Sequence, residues 1–386
     1  MKRIAFVNQR YGKEVNGGSE YYTMLMAQKL KEHYEVEVLT SKALTYEKWE
    51  DYYNEDVEDI DGVKVRRFSV KRKRSRILQR LLKIFIVKFG GNTRKITQIW
   101  NKVLGPYVPG LVRYIRENKD EYDAFIFVTY MYYPTVFGMR EAAEKAIFVP
   151  TAHDEYCIYF DLYKETFRLP RKIVFLTPEE KDFVHGLFRN EKIDSEVIGV
   201  GIDLPKNIDE ENFRKKYEIE GEYLLYAGRV DAEKGCDEMF AYFQRFSESR
   251  KDLQLVVMGK AYMDIPRHDK IRYLGFVSEE DKYNAIKGAK MLWLPSQFES
   301  LSIAVLEAMA LGVPVIVNGN CEVLRGHCER SGGGESYFDY EGLANIIGKF
   351  AGENYSLYSE KARRYIDECY MWNGVIGRWI DRIEEV

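Results

Sequence analysis

Short apolar runs recur along the chain, and the segments between them are longer and place their apolar residues at helical spacing. One series of runs covers residues 4–7, 36–40, 124–128, 146–149, 173–176 and 196–200, and a second covers 223–227, 253–258, 271–274, 291–294 and 313–317. Buried strands that alternate with helices are typical of parallel sheets, because parallel strands need long crossover connections. The pattern predicts an α/β protein with two Rossmann-like, doubly wound sheets.

The segment between the two series, residues 199–207, is rich in Gly, Pro, Asn and Asp, as linkers are. A chain of 386 residues also exceeds the size at which one hydrophobic core usually stops growing. We therefore predict a first domain of residues 1–203, a second of residues 204–368, and a C-terminal helix in residues 369–386. If the domains face each other, the carboxyl ends of their strands border a deep cleft between them, where ligands are expected to bind.

Two carboxylates stand eight positions apart after the predicted strand 291–294. Glu299 lies in a loop, and Glu307 lies inside a helix that Ser302 is expected to cap. Side chains in a helix lean toward its N-terminus, so both carboxylates can face the same cleft. Because a helix N-terminus also attracts phosphate, the segment predicts a hydroxyl-rich, phosphorylated ligand such as a sugar nucleotide.

Two cations, Arg229 and Lys234, follow the predicted strand 223–227. Such a pair can neutralise a diphosphate and stabilise its departure as an anion, which elsewhere is done by a divalent metal. Asp231 and Glu233 lie between them, so an ordinary surface loop with local ion pairs is the alternative. On its own the loop does not decide between the two interpretations.

A pair of glycines, Gly17 and Gly18, follows the first predicted strand and precedes a helix expected to begin at Ser19. Paired glycines let backbone N–H groups approach a phosphate or an acceptor without an intervening side chain. The spacing is not GxGxxG, so the dinucleotide fingerprint is absent. A simple mobile loop is the alternative interpretation.

We expect neither a metal nor a cofactor. The five cysteines lack finger-like spacing, and their odd number argues against a disulfide framework, so reduced, buried thiols are expected. The sequence Asp59-Ile60-Asp61 has an acidic pattern that can bind a metal ion. Here it precedes Gly62 outside the predicted cleft and is expected to form a polar turn.

Charge is unevenly distributed along the chain. Residues 62–116 contain sixteen Lys or Arg and no Asp or Glu, so the rest carries a net charge of about −19, since the whole chain carries −3. Within this segment a basic run precedes a predicted amphipathic helix, residues 76–89. The candidate membrane-binding residues are Lys71, Arg72, Lys73, Arg74, Arg76, Arg80 and Lys83, and the predicted apolar face consists of Ile77, Leu78, Leu81, Leu82 and Phe85.

Such a helix can lie in the headgroup region of an anionic membrane. The alternative is a surface helix whose apolar face packs on the protein core. Nucleic acid is a weaker third option, because the apolar face is broad and no reading motif is present. The N-terminus runs directly into a five-residue apolar strand, too short for a signal peptide or a membrane span, so a cytoplasmic location is expected, with peripheral association at the inner face of the membrane as the added possibility.

Several of these elements occur together in an order that resembles a known family. They are Arg229, Lys234-Gly235, Pro295-Ser296, Glu299, Glu307-Ala308-Met309-Ala310 and Gly312-Val313-Pro314-Val315. Across nearly one hundred residues their spacing is similar to that of the donor-binding half of the retaining glycosyltransferases of family 4, or glycosyl transferases group 1, which have the GT-B fold. The first half resembles the family more loosely, through the Gly17-Gly18 loop and Thr151-Ala152-His153-Asp154.

The resemblance implies a role for each matching residue. Arg229 and Lys234 would bind the donor diphosphate, Glu307 the ribose hydroxyls, and Glu299 the transferred sugar. The backbone of Leu301 and Ser302 would lie against the diphosphate, Gly17 and Gly18 would contribute to the donor site, and His153 would contact the donor sugar. Glu299 and His153 are therefore the candidate catalytic residues. The family commonly has glycine at the positions of Ser300 and Ser302, so donor identity does not carry over.

The reaction implied is metal-independent transfer of a sugar from a nucleotide-diphosphate sugar to a hydroxyl acceptor, with retention at the anomeric carbon and no protein nucleophile. A lipid-linked glycan or a cell-surface polysaccharide precursor is the acceptor class considered first. Chains of this family often end in a helix that crosses back to the first domain, which residues 369–386 would form. A sugar-nucleotide epimerase or hydrolase of the same fold, and a non-catalytic peripheral membrane protein, are the alternatives.

Overall fold

The computed structural model describes residues 1–15, 17–250, 252–350 and 355–386. By its contacts the chain divides into two compact units. The first unit comprises Met1–Val200 together with Ile376–Val386, and the second comprises Gly201–Val375. Both units are α/β and each is built on one sheet, as the apolar pattern predicts.

Among its described residues, the first unit contains eight strands and seven α-helices that belong to it entirely, and it also includes the end of the C-terminal helix. The strands are β1 (Arg3–Val7), β2 (Glu35–Ser41), β3 (Val57–Ile60), β4 (Val63–Phe68), β5 (Ala124–Val128), β6 (Ala146–Val149), β7 (Lys172–Phe175) and β8 (Asp194–Val197). The helices are α1 (Gly18–Leu30), α2 (Arg76–Lys88), α3 (Arg94–Leu104), α4 (Pro109–Asn118), α5 (Tyr133–Gly138), α6 (Asp161–Thr166) and α7 (Pro178–Phe188).

The strands of the first unit form one sheet in the order β3-β4-β2-β1-β5-β6-β7-β8. All neighbours are parallel except β3 and β4, which form an antiparallel pair at one edge. The central strands β5 and β6 are buried along their whole length, which explains their uninterrupted apolar sequences. Strand order reverses between β1 and β5, so the carboxyl ends of these strands mark the topological switch point of this sheet.

Among its described residues, the second unit contains six strands and most of the remaining α-helices. The strands are β9 (Glu222–Ala227), β10 (Leu253–Met258), β11 (Ile271–Gly275), β12 (Met291–Leu294), β13 (Val315–Asn318) and β14 (Gly334–Tyr337). The helices are α8 (Glu210–Tyr217), α9 (Cys236–Ser247), α10 (Glu279–Gly288), α11 (Ile303–Ala310), α12 (Glu322–Ser331), α13 (Tyr340–Lys349), α14 (Tyr355–Cys369) and the first residues of α15 (Trp372–Glu384).

The second sheet is parallel throughout, in the order β11-β10-β9-β12-β13-β14. Its strand order reverses between β9 and β12, which are direct neighbours. The loops that follow these two strands therefore border the switch point, where ligands bind in open parallel sheets. Arg229 and Lys234 lie in the first of these loops, and Glu299 lies in the second.

Each predicted strand overlaps an observed one, but three strands were missed. In β4 the sequence Val-Lys-Val-Arg-Arg-Phe alternates buried and half-buried positions, and its cations made it look like part of the basic segment. Strand β14 lies at a sheet edge and carries the polar sequence Gly-Glu-Ser-Tyr. Strand β3 contains Asp59 and Ile60, so the polar turn expected there is limited to Asp61 and Gly62.

The last residues of the chain belong to the first unit. The Tyr34 hydroxyl donates to Glu384 at 2.9 Å, Lys172 forms an ion pair with Glu385 at 2.6 Å, and Arg378 forms one with Glu196 at 2.7 Å. These contacts join the C-terminal helix to residues near β2, β7 and β8.

Candidate functional site

An ion pair between Lys234 and Glu299 connects the two loops at the switch point of the second sheet. The Lys234 Nζ lies 2.7 Å from the Glu299 Oε1, and both side chains are half-buried. These residues are 65 positions apart in sequence and were singled out from separate motifs. The structure thus brings together one cation and one carboxylate of the predicted donor site.

The loop backbones at this point come close because of a glycine. Gly235 has a φ of +72°, and a Cβ placed on it would lie 2.5 Å from the Pro295 carbonyl oxygen. The Asn318 side-chain amide donates to the same carbonyl at 3.0 Å. Gly235 therefore permits both the left-handed turn after Lys234 and the close approach of the loop that leads to Glu299.

Arg229 forms the local ion pairs that were the alternative interpretation of its loop. Its guanidinium contacts Asp231, and its Nη2 lies 2.9 Å from Glu233. The side chain is half-buried beside the end of β9. A charge network of this kind holds the guanidinium near the loop, where an incoming anion can compete for it.

Glu307 is buried in α11 and is held by two donors. Lys282 Nζ lies 2.6 Å from Oε1, and the Tyr283 hydroxyl donates to the same oxygen at 3.0 Å. Burial raises the pKa of Glu307, and the ammonium of Lys282 opposes that rise. Sequence reasoning missed Lys282 and Tyr283, because adjacent polar residues on α10 look like an ordinary solvated helix face.

Ser302 occupies the N-cap position of α11, but its hydroxyl makes no capping hydrogen bond. The prediction that this side chain caps the helix is therefore wrong. Its φ of +66° and ψ of 82° place the backbone in the left-handed region rather than in the extended conformation of a normal cap, which points the side chain elsewhere. This is a position where glycine would be the easier residue.

Leu301 is anchored through its backbone by a buried histidine. The His327 Nε2 lies 2.8 Å from the Leu301 carbonyl oxygen, and the Nδ1 lies 3.0 Å from the Tyr365 hydroxyl. Burial lowers the pKa of His327 to about 3, and Arg330 adds to this effect, so the ring is neutral. A neutral ring with these partners donates from Nε2 and accepts at Nδ1. No sequence signal marked His327, which lies within the amphipathic pattern of α12.

The predicted residues of the first unit lie on loops at the carboxyl ends of its strands. Gly17 and Gly18 lie at the N-terminus of α1, after β1, and a Cβ on Gly18 would meet nothing within 4 Å. His153 lies in the loop after β6, where its Nε2 is 3.4 Å from Glu155 and the ring is half-buried. The catalytic role of His153 and the donor-binding role of the glycines stay predictions.

The basic helix forms over Arg76–Lys88, close to the predicted span, and Ser75 caps it by accepting from the Leu78 amide. Of the predicted apolar face, only Leu82 is half-buried against the core, whereas the others are exposed. Several predicted membrane-binding cations are engaged by the protein. Lys73 forms an ion pair with Glu50 at 2.7 Å, and the Arg72 guanidinium lies 5.5 Å from the ring centre of Tyr107. Arg74 donates to Gln79 at 2.9 Å, and the Lys83 ammonium lies 3.5 Å from the ring centre of Tyr156.

Within the described ranges, no group of three His, Cys, Asp or Glu side chains could hold a metal ion. The same part of the chain contains no helix with the length and apolar character needed to cross a bilayer. Four of the five cysteines are buried as expected, and Cys369 is exposed. Metal independence and the absence of a cofactor stay predictions.

Comparison with known proteins locates the family resemblance in the second unit. Residues 209–327 match the family described as Glycosyl transferases group 1, and this segment includes Arg229, Lys234, Glu299 and Glu307. The match is confined to this part of the chain and covers less than half of its 386 residues. The segment ends at His327, so the residue that anchors Leu301 also lies within the match.

An uncharacterised glycosyltransferase of Methanocaldococcus jannaschii is 27% identical over 164 residues, which are 38% of this chain and 42% of that protein. The matched part thus spans less than half of that relative. Among solved structures, sucrose-phosphate synthase from Thermosynechococcus elongatus has a TM-score of 0.73 at 16% identity, over 100% of both chains. The Anabaena protein HepE in complex with UDP-glucose has a TM-score of 0.69 at 13% identity, also over 100% of both chains. These structures confirm the predicted fold class.

Replacing Ser302 by glycine is expected to stabilise the second unit. A non-glycine residue in the left-handed region costs about 1–2 kcal/mol, part of which glycine gives back through its greater freedom in the unfolded chain. We expect Ser302→Gly to raise the free energy of unfolding in urea by about 0.5–1 kcal/mol. Ser302→Ala keeps the Cβ and serves as the control. A stability gain in Ser302→Ala equal to that of Ser302→Gly would show that the backbone conformation is not the cause.

Proposed function

We propose that this protein transfers a glycosyl group from a nucleotide-diphosphate sugar to a hydroxyl acceptor, with retention of the anomeric configuration. The observation that carries the proposal is the Lys234–Glu299 ion pair at the switch point of the second sheet. A lysine and a carboxylate at this point suit the two ends of such a donor, because an ammonium binds phosphate and a carboxylate accepts hydrogen bonds from sugar hydroxyls.

In this proposal Lys234 and Arg229 exchange their carboxylate partners for the donor diphosphate. Both cations are half-buried and already lie beside anionic side chains, so a diphosphate can replace those partners without a change of fold. Release of Lys234 also frees the carboxylate of Glu299 to accept from hydroxyls of the transferred sugar. Donor binding and positioning of Glu299 would therefore occur together.

Glu307 would bind the ribose of the donor. Lys282 and Tyr283 both contact Oε1, and an ionised carboxylate has further acceptor positions on Oε2 that suit a vicinal diol. Because the Glu307 carboxylate is buried and accepts from two donors, it is a rigid hydrogen-bond acceptor. This favours a role in positioning the donor rather than in the chemical step. We assign Lys282 and Tyr283 as positioning residues for Glu307.

The chemistry proposed requires no protein nucleophile. The bond between the anomeric carbon and the diphosphate breaks with its electron pair going to the diphosphate, and the acceptor oxygen bonds to the same face of that carbon. The acceptor proton passes to a diphosphate oxygen. Arg229 and Lys234 stabilise the negative charge that develops on the leaving group, while Glu299 orients the sugar.

The acceptor is proposed to be a hydroxyl of a lipid-linked glycan or of a growing polysaccharide. The support for this finer proposal is the basic, apolar surface of α2, which belongs to the first unit. One comparison points the same way, since a relative is described as an O-antigen chain mannosyltransferase B from Escherichia coli, 30% identical over 26% of this chain and 30% of that protein.

Donor binding can be tested by thermal unfolding with UDP, GDP, ADP and their sugars. A ligand selective for the folded state stabilises it by about 2.7 kcal/mol at one hundred times its dissociation constant. We expect nucleotides of one base to raise the unfolding temperature and Glu307→Gln to lose most of that rise. Glu211→Gln, an exposed glutamate in the same unit, is the control. Equal shifts in Glu307→Gln and wild type would contradict the ribose assignment.

Product analysis separates transfer from the other reactions of the same fold. With the donor that binds, transfer predicts nucleotide release that depends on added acceptor, and a new glycoside that keeps the donor's anomeric configuration. Rapid release of free sugar without acceptor would indicate a hydrolase, and interconversion of donor sugars would indicate an epimerase.

A further inference from the structure

Helix α2 presents an apolar side to solvent. Its buried residues are Gln79 and Ile86, and the opposite side of the helix carries Ile77, Leu81 and Ile84. These three side chains are 77%, 59% and 36% exposed. A surface helix normally turns its apolar stripe toward the core and its polar residues outward, and α2 has a large part of its apolar surface on the outward side.

The apolar surface continues at the end of the helix. Val87 and Phe89 are exposed there, and Leu78 and Phe85 border the outward side. Tyr156, which lies beside Lys83, is also exposed. We call this group of side chains, with Ile77, Leu81 and Ile84, the α2 surface. Its extent exceeds that of the single exposed apolar residues found on most proteins.

Cations border the α2 surface. Arg76, Arg80 and Lys88 are exposed on the helix itself, and Lys71 and Arg72 are exposed just before it. Among the described residues, Arg76, Arg80 and Lys88 form no ion pair, which fits a segment of the sequence without a single acidic residue. The surface is therefore apolar at its centre and positively charged around it.

A second copy of the chain, a nucleic acid or a lipid bilayer could cover such a surface, and the distribution of charge indicates which of them fits. A second copy of the chain would bring two groups of cations together, which is unfavourable. Nucleic acid would pair with the cations but would leave the apolar centre against phosphates and water. An anionic bilayer satisfies both parts, because acyl chains take the apolar side chains and lipid phosphates take the cations.

We propose that α2 lies in the headgroup region of an anionic lipid bilayer, with Ile77, Leu81 and Ile84 directed toward the acyl chains. Arg76 and Arg80 lie at the level of the lipid phosphates, and Lys88 reaches that level by extending its long side chain. Lys83 and Arg74 contribute little, since the protein itself engages them. The inference rests on the first unit alone and does not depend on the proposed donor site.

Co-sedimentation with lipid vesicles tests this inference. We expect the wild-type protein to bind vesicles that contain phosphatidylglycerol at least tenfold more tightly than vesicles of phosphatidylcholine alone. Raised salt should weaken the binding without abolishing it, because apolar insertion is not screened. Equal binding to the two kinds of vesicle, or no binding to either, would overturn the proposal.

Two triple variants separate the contribution of the cations to vesicle binding from that of the apolar side chains. The first variant combines Arg76→Gln, Arg80→Gln and Lys88→Gln. We expect it to bind anionic vesicles at least tenfold more weakly, since each cation near the membrane surface raises the affinity about fivefold. The second variant combines Ile77→Ser, Leu81→Ser and Ile84→Ser. It should bind anionic vesicles only weakly, and that binding should disappear at high salt. The altered side chains are exposed, so the unfolding temperature should stay near that of wild type.

Matched controls use exposed residues elsewhere. Lys192→Gln with Lys206→Gln and Lys287→Gln removes the same charge, and Phe276→Ser with Leu357→Ser removes exposed apolar surface from the second unit. We expect both to bind vesicles like wild type. If the control variants lose vesicle binding as strongly as the α2 variants, the protein binds vesicles through its whole surface and the proposal is wrong. A dimer that Leu81→Ser dissociates would assign the surface to a second copy instead.

Nucleotide binding by the same variants keeps this inference separate from the proposed function. The α2 variants should retain the thermal shift given by the donor nucleotide. Loss of vesicle binding with an intact nucleotide shift is the expected result, and intact vesicle binding in a protein that binds no nucleotide would sustain this inference while rejecting the proposed function.

Discussion

Lys234→Ala is expected to lower the rate of sugar transfer by roughly 10²–10³-fold, the range seen when one group that stabilises a developing anion is removed. The ammonium would act on the leaving diphosphate, whose charge grows in the transition state, so the loss should appear in kcat as well as in kcat/KM. Folding should be little affected, because a half-buried ion pair such as Lys234–Glu299 contributes modestly to stability. Steady-state kinetics and thermal unfolding of the same preparation measure both effects.

Lys290→Ala supplies a matched control for this variant. Lys290 is also half-buried in the second unit and forms a 2.8 Å ion pair with Glu222, but it lies at the opposite end of the sheet's strands. We expect it to retain wild-type transfer. If Lys234→Ala keeps more than half of the wild-type rate, or if Lys290→Ala loses as much, the assignment of Lys234 to the leaving group is wrong.

Most strands could be predicted from the sequence, because a buried strand appears in it as a short run of apolar residues. Strands β5, β6, β10 and β12 were located to the residue, since each is a short apolar run bounded by polar residues. Strand β14 was missed for the opposite reason. It is an edge strand, and its polar side chains gave no apolar run to detect.

The residues of the candidate site that could be predicted from the sequence are those in loops that follow strands. Lys234 and Glu299 both follow strands that proved to be neighbours, and the order of a parallel sheet then brings their loops together. Lys282 and His327 could not be found in this way. They lie inside helices α10 and α12, and they reach the site only through tertiary packing that sequence spacing does not encode.

The α2 helix shows a different limit of sequence reasoning. Its amphipathic pattern was correct, but the pattern alone does not say which side faces the protein. The structure places Gln79 and Ile86 inward, so a polar residue is buried while Ile77 and Leu81 are exposed. Burial of Gln79 is stabilised by the hydrogen bond from Arg74, which a hydrophobic pattern cannot anticipate.

His327 should make the second unit sensitive to acid. Burial lowers its pKa to about 3, whereas the ring has a pKa of about 6.5 when the chain is unfolded. Below pH 6.5 the unfolded chain binds a proton that the folded chain does not, so the free energy of unfolding falls by about 1.4 kcal/mol for each pH unit down to about pH 3. At pH 5 the loss from this residue alone is about 2 kcal/mol.

His327→Gln isolates this contribution, because the amide cannot titrate but can donate to the Leu301 carbonyl and accept from Tyr365. We expect the variant to be less stable than wild type at pH 7.5, since an amide fits the site imperfectly, and to lose less stability between pH 6.5 and pH 4.5. Urea unfolding of both proteins across this range measures the difference, and His33→Gln, at an exposed histidine, is the control. A gap between wild type and His327→Gln that does not change with pH would contradict the prediction. Protonation would occur at Nδ1 and remove the acceptor that the Tyr365 hydroxyl uses, whereas the Nε2 hydrogen bond to the Leu301 carbonyl would remain.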